Sequence, residues 1–321
     1  MKKDELHRYL LKALEKKIPD KSKLVEMLME TLFMEKGAVY RRLRGEVPFS
    51  FFEVVNITEK LDISLNSLIH DDSVRKDHFE LTFVEYTNMN EMDYKQWEDF
   101  ITFVRSAKND PHSEKAESSN ILPICIYGGF DSLSKYYLFK YQYRLHESEG
   151  RIVFSELVVP DRLHRMFRTD FDESKNIAHT TYLLDNNIFR NLVTDIHFFS
   201  TINSISADDL QQIKEDLFAL LDYLEKIALT GCFEETGNPV SIYISDVNLE
   251  AAYVCMQINN THTSIVRNFI LNYVESIDQS SYRKIKNWIQ SQKKSSTLIT
   301  QSGAVYRADF FGKQRKIVSE L

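Results

Sequence analysis

Three arginines, Arg41, Arg42 and Arg44, fall within four consecutive positions of the stretch GAVYRRLRGEVPFS, residues 37–50. A guanidinium is a planar fork of N–H donors. On an outward helix face it can give two hydrogen bonds to guanine O6 and N7. It can equally hold a phosphate, which positions a protein without encoding sequence. The plain alternative is a solvated face whose charge complements the end of a helix dipole. Direction separates these uses. At about 100° per residue, Val39 and Leu43 point inward together and Arg41 lies almost opposite them. Gly37, Ala38 and Arg44 take the outer half, Tyr40 and Arg42 flank it, and Lys36 opens the helix nearer its buried side. Arg41 is therefore placed to read bases, with Gly37 letting the backbone come close. Arg44, Arg42 and Lys23 suit phosphates. Tyr40 can donate to a phosphate or touch a thymine methyl.

The helix that carries them sits in a run of five expected short helices. In ELHRYLLKALEKKIP, Leu6, Tyr9, Leu10, Ala13 and Leu14 share a face, and Pro19 stops the helix. KSKLVEMLMETLF repeats the pattern with Leu24, Met27, Leu28 and Leu32. The third is EKGAVYRRLRGE, ended by Gly45. Ser50 and Glu53 then form a capping box for a fourth, whose apolar side is Phe51, Val54, Val55, Ile57 and Leu61. ISLNSLIH supplies the fifth, with Ser64 as its cap and Leu65 and Leu68 inward. The very tight turn between the second and third helices defines a helix-turn-helix candidate.

The segment from Leu24 to Ile69 resembles the phage-repressor type of helix-turn-helix domain, also called Cro/C1 or XRE type. The matching features are Val39 early in the third helix, Gly45 at its end, the polar cap at Ser50, and the ending KLDISLNSLI. YRRLRGEVPFS is similar to the BetR-like subset of these regulators. The chain departs from the family at Phe33, where the turn often has Gly, at Met29, where a small residue is usual, and at Arg42, in a commonly apolar slot. The resemblance covers about residues 4–70. It implies a five-helix lambda-repressor-like domain, double-stranded DNA as partner, the third helix (about 35–45) in the major groove, and transcription regulation in a bacterial-type cytoplasm. A homodimer would set two third helices about 34 Å apart on a pseudo-palindrome.

Formal net charge is −7. Taken whole, that argues against a nucleic-acid partner, but the distribution is uneven. Residues 1–70 carry 13 Lys and Arg against 11 Asp and Glu; the remainder carries 27 against 36. A mildly basic module precedes an acidic body that would repel DNA. Cys125, Cys232 and Cys255 show no CxxC or Cys/His spacing, so reduced thiols in a cytosol are expected. No apolar run approaches the ~18 residues of a membrane span, and the N-terminus has no signal-peptide stretch.

HDDSVRKDH, residues 70–78, contains the expected linker, 71–78, between a 1–70 DNA-binding domain and a 79–321 body. FELTFVEY suggests a strand, with a helix start as the alternative, and KNDPHSEKAESSN, residues 108–120, a loop. Helices are expected at MDYKQWEDFITFVRSAK, DSLSKYYLFKYQYRLH, PDRLHRMFRTDF and DNNIFRNLVTDIHFFSTI. In SADDLQQIKEDLFALLDYLEKIALTG, Leu210, Ile213, Leu217, Leu220, Leu224 and Ile227 alternate spacings of three and four. That stripe suits a packed bundle helix, and also a short dimer seam. VSIYIS and AAYVCMQI suggest a hairpin. Helices are expected again at SIVRNFILNYVES, SYRKIKNWIQSQ and VYRADFFGKQRKIV. The fold class expected is thus mainly α, with one small antiparallel hairpin or sheet in a regulatory or oligomerisation domain.

Little chemistry is visible in that body. YGGFD lacks the spacing of a phosphate loop, and the histidines show no metal spacing. No nucleophile–base pair stands out, so no enzyme, no metal and no cofactor is expected. Lys135, Lys140 and Arg144 flank the aromatic run YYLFKYQYRLH, which suits a core better than an anion pocket. The function expected is sequence-specific DNA binding, with the body serving oligomerisation or the sensing of a small-molecule or protein effector. The alternative is a protein-interaction scaffold whose helix-turn-helix has lost specific DNA binding. GAVYR recurs at 303–307 without flanking similarity, so it is not a repeat.

Overall fold

The computed structural model describes residues 3–61, 63, 81–86, 91–145, 152–267 and 270–321. The chain divides into two compact units, Met1–Glu80 and Leu81–Leu321.

The described part of the first unit holds helices α1 (Lys3–Lys17), α2 (Lys21–Leu32), α3 (Lys36–Leu43) and α4 (Phe51–Leu61). The expected fifth helix at ISLNSLIH and the linker 71–78 lie outside the described residues. α1 stops just before Pro19, which would remove a helical N–H. Asp20 restarts the chain: its carboxylate accepts from the Ser22 and Lys23 N–H groups at 2.9 and 3.3 Å. The core is built from Leu10 and Leu14 of α1, Leu24, Val25 and Leu28 of α2, Val39 of α3, Phe49, and Ile57 of α4. Each such side chain taken from water contributes about 1.5–3 kcal/mol, which holds helices this short in place.

The second unit is built on one eight-stranded sheet in the order β1-β7-β6-β5-β2-β3-β4-β8. Its strands are β1 (Thr82–Val84), β2 (Glu114–Ser119), β3 (His179–Asp185), β4 (Val240–Ser245), β5 (Ala252–Ile258), β6 (Thr261–Arg267), β7 (Tyr273–Ser276) and β8 (Ser296–Leu298). β2, β3 and β4 run parallel, and every other pairing is antiparallel. Parallel neighbours need long crossovers. α6 (Ile124–Tyr127), α7 (Asp131–Leu145) and α8 (Asp161–Ser174) make the first; α9 (Ile188–Thr201) and α10 (Ala207–Thr230) make the second. α5 (Glu91–Arg105) precedes β2; α11 (Gln279–Gln292) and α12 (Ala304–Ser319) follow β7. Alternate strand residues face opposite ways. Tyr182, Val254, Met256 and Ile265 join the main core with the crossover helices, while Ala116 and Cys255 meet Tyr282, Ile285 and Ile289 of α11.

This sheet overturns the expectation of a mainly helical body with one small hairpin. The unit is an α/β domain, and three local causes explain the difference. β2 reads EKAESS, a polar string that resembles loop, yet it lies mid-sheet with Lys115 and Glu117 paired at 2.7 Å. A strand covered on both faces carries no inside–outside alternation. SIVRNFILNYVES was expected as a helix, but its ends belong to β6 and β7. VSIYIS and AAYVCMQI are strands but not a hairpin: β4 pairs with β3 and β8, whereas β5 pairs with β2 and β6.

α10 begins at a Ser206–Asp209 capping box and ends at Gly231 in the left-handed region. Its stripe of Ile213, Leu217, Leu220, Leu224 and Ile227 is buried within the unit, where α10 meets α7 and α12. Packing inside one chain therefore accounts for the spacing that also suited a dimer seam. No described helix is long and apolar enough to cross a membrane.

Candidate nucleic-acid interface

The seven residues singled out from the sequence do not share one fate. Val39 is fully buried and Leu43 partly so, which turns the opposite side of α3 to solvent. Lys36, Gly37, Tyr40, Arg41 and Arg44 are exposed, as is Lys23 near the start of α2. A methyl group added at Gly37 would meet nothing within 4 Å, so this turn of α3 is open to an approaching surface. The Arg41 guanidinium has no ion pair or hydrogen bond with another described residue, while its carbonyl accepts from the Glu46 N–H at 2.9 Å. The Arg44 side chain leans on Glu46 at 2.8 Å with both side chains well exposed, a contact of little energetic weight.

Arg42 behaves differently. Its Nε and one terminal nitrogen bind the two oxygens of Glu53 on α4 at 3.1 and 2.8 Å. Its other nitrogen donates to the Ala38 carbonyl at 3.4 Å. Glu53 in turn accepts from the Ser50 N–H at 2.8 Å, while Ser50 Oγ receives the Glu53 N–H at 3.3 Å. The capping box expected at Ser50 is thus also the anchor of an arginine from α3. Arg42 fixes α3 to α4 and has no free donor fork for a phosphate. His7 of α1 adds a third tie, with Nε2 3.1 Å from the Arg42 carbonyl. Sequence reasoning missed this pairing. The signal available was Arg42, charged between the inward Val39 and Leu43 and eleven positions before the capping glutamate.

Burial raises the pKa of the Glu53 carboxyl, but its bonds to Arg42 and the Ser50 N–H outweigh that and hold it below the usual range. A depressed carboxylate contributes stability that is complete above its unfolded pKa. That contribution is lost as pH falls through the folded one. Glu53→Gln is therefore expected to cost the α3–α4 pair about 2 kcal/mol at neutral pH. It should also flatten the acid side of the unit's stability curve. Hydrogen exchange of the α3 and α4 amides in the full chain, measured from pH 7 to 4, reads both effects. An unchanged acid slope would remove Glu53 from this role.

The turn between α2 and α3 places Phe33 where glycine would be easier. Phe33 caps α2 at φ 53° and ψ 44°, in the left-handed region. The N–H groups of Phe33 and Met34 both turn back to the Met29 carbonyl. This conformation suits glycine and costs another residue about 1–2 kcal/mol. The Phe33 ring is 95% exposed, so it returns almost no burial. Phe33→Gly should stabilise the helix pair by about 0.5–1 kcal/mol, part of the gain being offset by glycine's looser unfolded chain. Slower exchange of the α2 and α3 amides would show it; faster exchange would mean the ring makes a contact that matters. At the far end of α3, Gly45 takes φ 77°, and the Gly45 and Glu46 N–H groups close the helix on the Arg42 and Arg41 carbonyls.

In the second unit, Lys135, Lys140 and Arg144 do not form an anion site. Lys140 pairs with Asp195 on α9. Lys135 sits 4.6 Å from the centre of the Phe154 ring, and Arg144 is exposed. Tyr136, Tyr137, Phe139 and Tyr141 beside them are buried core. Among the described residues no group of three or more His, Cys, Asp and Glu is placed to hold a metal ion. Compared with known proteins, the chain matches no family model, no curated protein and no solved structure.

Proposed function

We propose that the chain is a sequence-specific DNA-binding regulator of transcription, acting in the cytoplasm, in which α3 enters the major groove. The observation that carries this reading is the split between neighbouring arginines. Arg42 is used up inside the unit by Glu53, while Arg41, on the side away from Val39, stays exposed. Lys36, Gly37, Tyr40 and Arg44 share the exposed side, and Lys23 offers a phosphate contact from α2. The acidic remainder of the chain would confine DNA contact to this unit. Selection from a random-sequence duplex library should return a short inverted site, as a homodimer requires. Affinity should fall steeply with salt as phosphate contacts release counterions. A library that yields no preferred sequence at low salt would defeat the proposal.

A second reading is a scaffold that contacts proteins through this unit. Phe33, Phe51 and Phe52 favour it, being 95%, 80% and 75% exposed, since isolated DNA readers gain little from wet phenylalanines. Serine at all three positions discriminates. DNA selection that survives the change supports the groove reading; loss of self-association or partner capture with DNA binding absent supports the scaffold.

A further inference from the structure

Three reactive side chains are sealed together in the second unit, where β2 meets α6. Lys115 Nζ of β2 lies 2.7 Å from Glu117 Oε2 of the same strand and 2.8 Å from Cys125 Sγ of α6. That sulfur stands 3.8 Å from Glu117 Oε2 and 3.5 Å from the Tyr182 hydroxyl of β3. Lys115, Glu117 and Cys125 are only 7%, 1% and 7% exposed. Glu117 Oε1 is sealed and has no hydrogen-bond partner, an exception to the pairing that buried polar atoms almost always find. A tight turn holds the cluster's geometry: Ser119 Oγ donates to the Ile121 carbonyl at 2.6 Å and accepts from its N–H at 3.3 Å.

The nitrogen–sulfur separation is short. An N–H···O bond is about 2.9–3.0 Å, and sulfur is larger than oxygen, so an ordinary N–H···S contact is longer still. At 2.8 Å the two atoms stand at a distance that one bridging oxygen can span without moving either side chain. Burial pulls Lys115 down, but Cys125 and Glu117 outweigh it and keep the amine protonated. Burial pushes the Cys125 thiol up, against the pull of the Lys115 charge. The thiol therefore needs a proton acceptor before it can react, and the Glu117 carboxylate is in place for that.

We propose that Lys115 and Cys125 form a reversible covalent link, with Nζ and Sγ joined through one oxygen atom supplied by dioxygen. Glu117 first takes the thiol proton, which leaves a thiolate against the Lys115 ammonium. Dioxygen then takes two electrons from sulfur and two from nitrogen, and its O–O bond breaks. One oxygen forms the S–O and O–N bonds. The other leaves as water with two of the three ammonium hydrogens. The product is a neutral S–O–NH bridge beside a protonated Glu117, so a buried ion pair is replaced by uncharged groups. Excess dithiothreitol supplies the four electrons that return thiol, amine and water. Dioxygen, small and apolar, enters through the local openings that folded proteins undergo. An isolated cysteine would instead pass to a sulfenic acid; an amine at contact distance diverts that course. The link is independent of whether α3 binds DNA.

Mass spectrometry of the full chain, purified without oxygen and then exposed to air, tests this. Trypsin cannot cut after a bonded Lys115, so residues 109–135 should appear as one peptide, heavier by about 14 Da, one oxygen gained and two hydrogens lost. Dithiothreitol should abolish the added mass and restore the cut. Peptides of Cys232 and Cys255 should carry no such link. The oxidised chain should melt about 5 °C above the reduced one, because the link ties β2 to α6. Cys125→Ser and Lys115→Arg should both fold and lose that difference; the arginine still pairs with Glu117 but cannot form the bridge. Glu117→Gln should slow the linking about 10-fold or more, for want of the proton acceptor. Added mass that survives reduction or forms without oxygen overturns the proposal. So does a loss of two hydrogens alone, which marks a direct S–N bond, or a Cys125 that gains oxygen while trypsin still cuts after Lys115. A melting difference that persists in Lys115→Arg, or an unchanged rate in Glu117→Gln, overturns it as well.

Discussion

Arg41→Ala is expected to weaken binding to the selected DNA site by about 10- to 100-fold while leaving the fold intact. The magnitude follows from one bidentate arginine–guanine contact, worth about 1–3 kcal/mol of discrimination. The stability side follows from Arg41 being exposed, with no side-chain partner among the described residues, where substitutions cost less than about 0.5 kcal/mol. Arg42→Ala is the control with the opposite profile. It breaks the two bonds to Glu53 and loosens α3 from α4, so it should lower stability first and affinity only as a consequence. Lys23→Ala should weaken all duplexes alike and reduce the salt slope by about 1. Mobility shifts at two salt concentrations, on the selected site and a scrambled one, separate these outcomes. If Arg41→Ala weakens both duplexes equally and flattens the salt slope, Arg41 holds a phosphate. If it changes neither, the exposed side of α3 is solvated surface and the groove reading fails.

What could be read in the sequence depended on how local the determinants were. The stripes of α2 and α3, the stop at Gly45 and the box at Ser50 are set by residues three or four apart, and the structure has those features. The direction of Arg41 followed from Val39 and Leu43 by the same geometry. The fate of Arg42 did not, because its partner is on the next helix and nothing in the spacing announces a bond across a turn. The sheet was hidden for a similar reason. β2 is stabilised by neighbours 65 residues away on one side, with Glu114 opposite His179, and 135 to 143 away on the other, with Glu114 opposite Gln257. Its own composition, two glutamates, a lysine and two serines around one alanine, argues for solvent. Only the pairing of Lys115 with Glu117 makes it tolerable inside. Asp170 and Arg267, whose charges attract across the interior of the second unit, share this property: they are almost a hundred positions apart and meet only through the crossover and the meander.

Gly128→Ala should be the most damaging single-methyl change in the second unit. A Cβ there would lie 2.6 Å from the Phe167 carbonyl oxygen and 2.8 Å from that of Ile124. Both obstacles are backbone, so no rotamer relieves them: α6 must draw back from the Phe167 carbonyl of α8, and its own last turn must open at Ile124. Overpacking of this kind costs about 1–3 kcal/mol and more when the backbone has to move. For a unit of this size, a loss of about 3 kcal/mol corresponds to a fall of roughly 6–12 °C in melting temperature. Gly129→Ala is the matched comparison. The atoms nearest its added methyl belong to the Phe171 ring, at 2.7 Å, and a ring can swing aside, so the cost should stay near 1 kcal/mol or below. Trp97 and Trp288 both belong to the second unit, so tryptophan fluorescence follows its unfolding without a signal from the first. Equal losses in the two variants would mean that α6 and α8 are less closely held than the carbonyl contact implies.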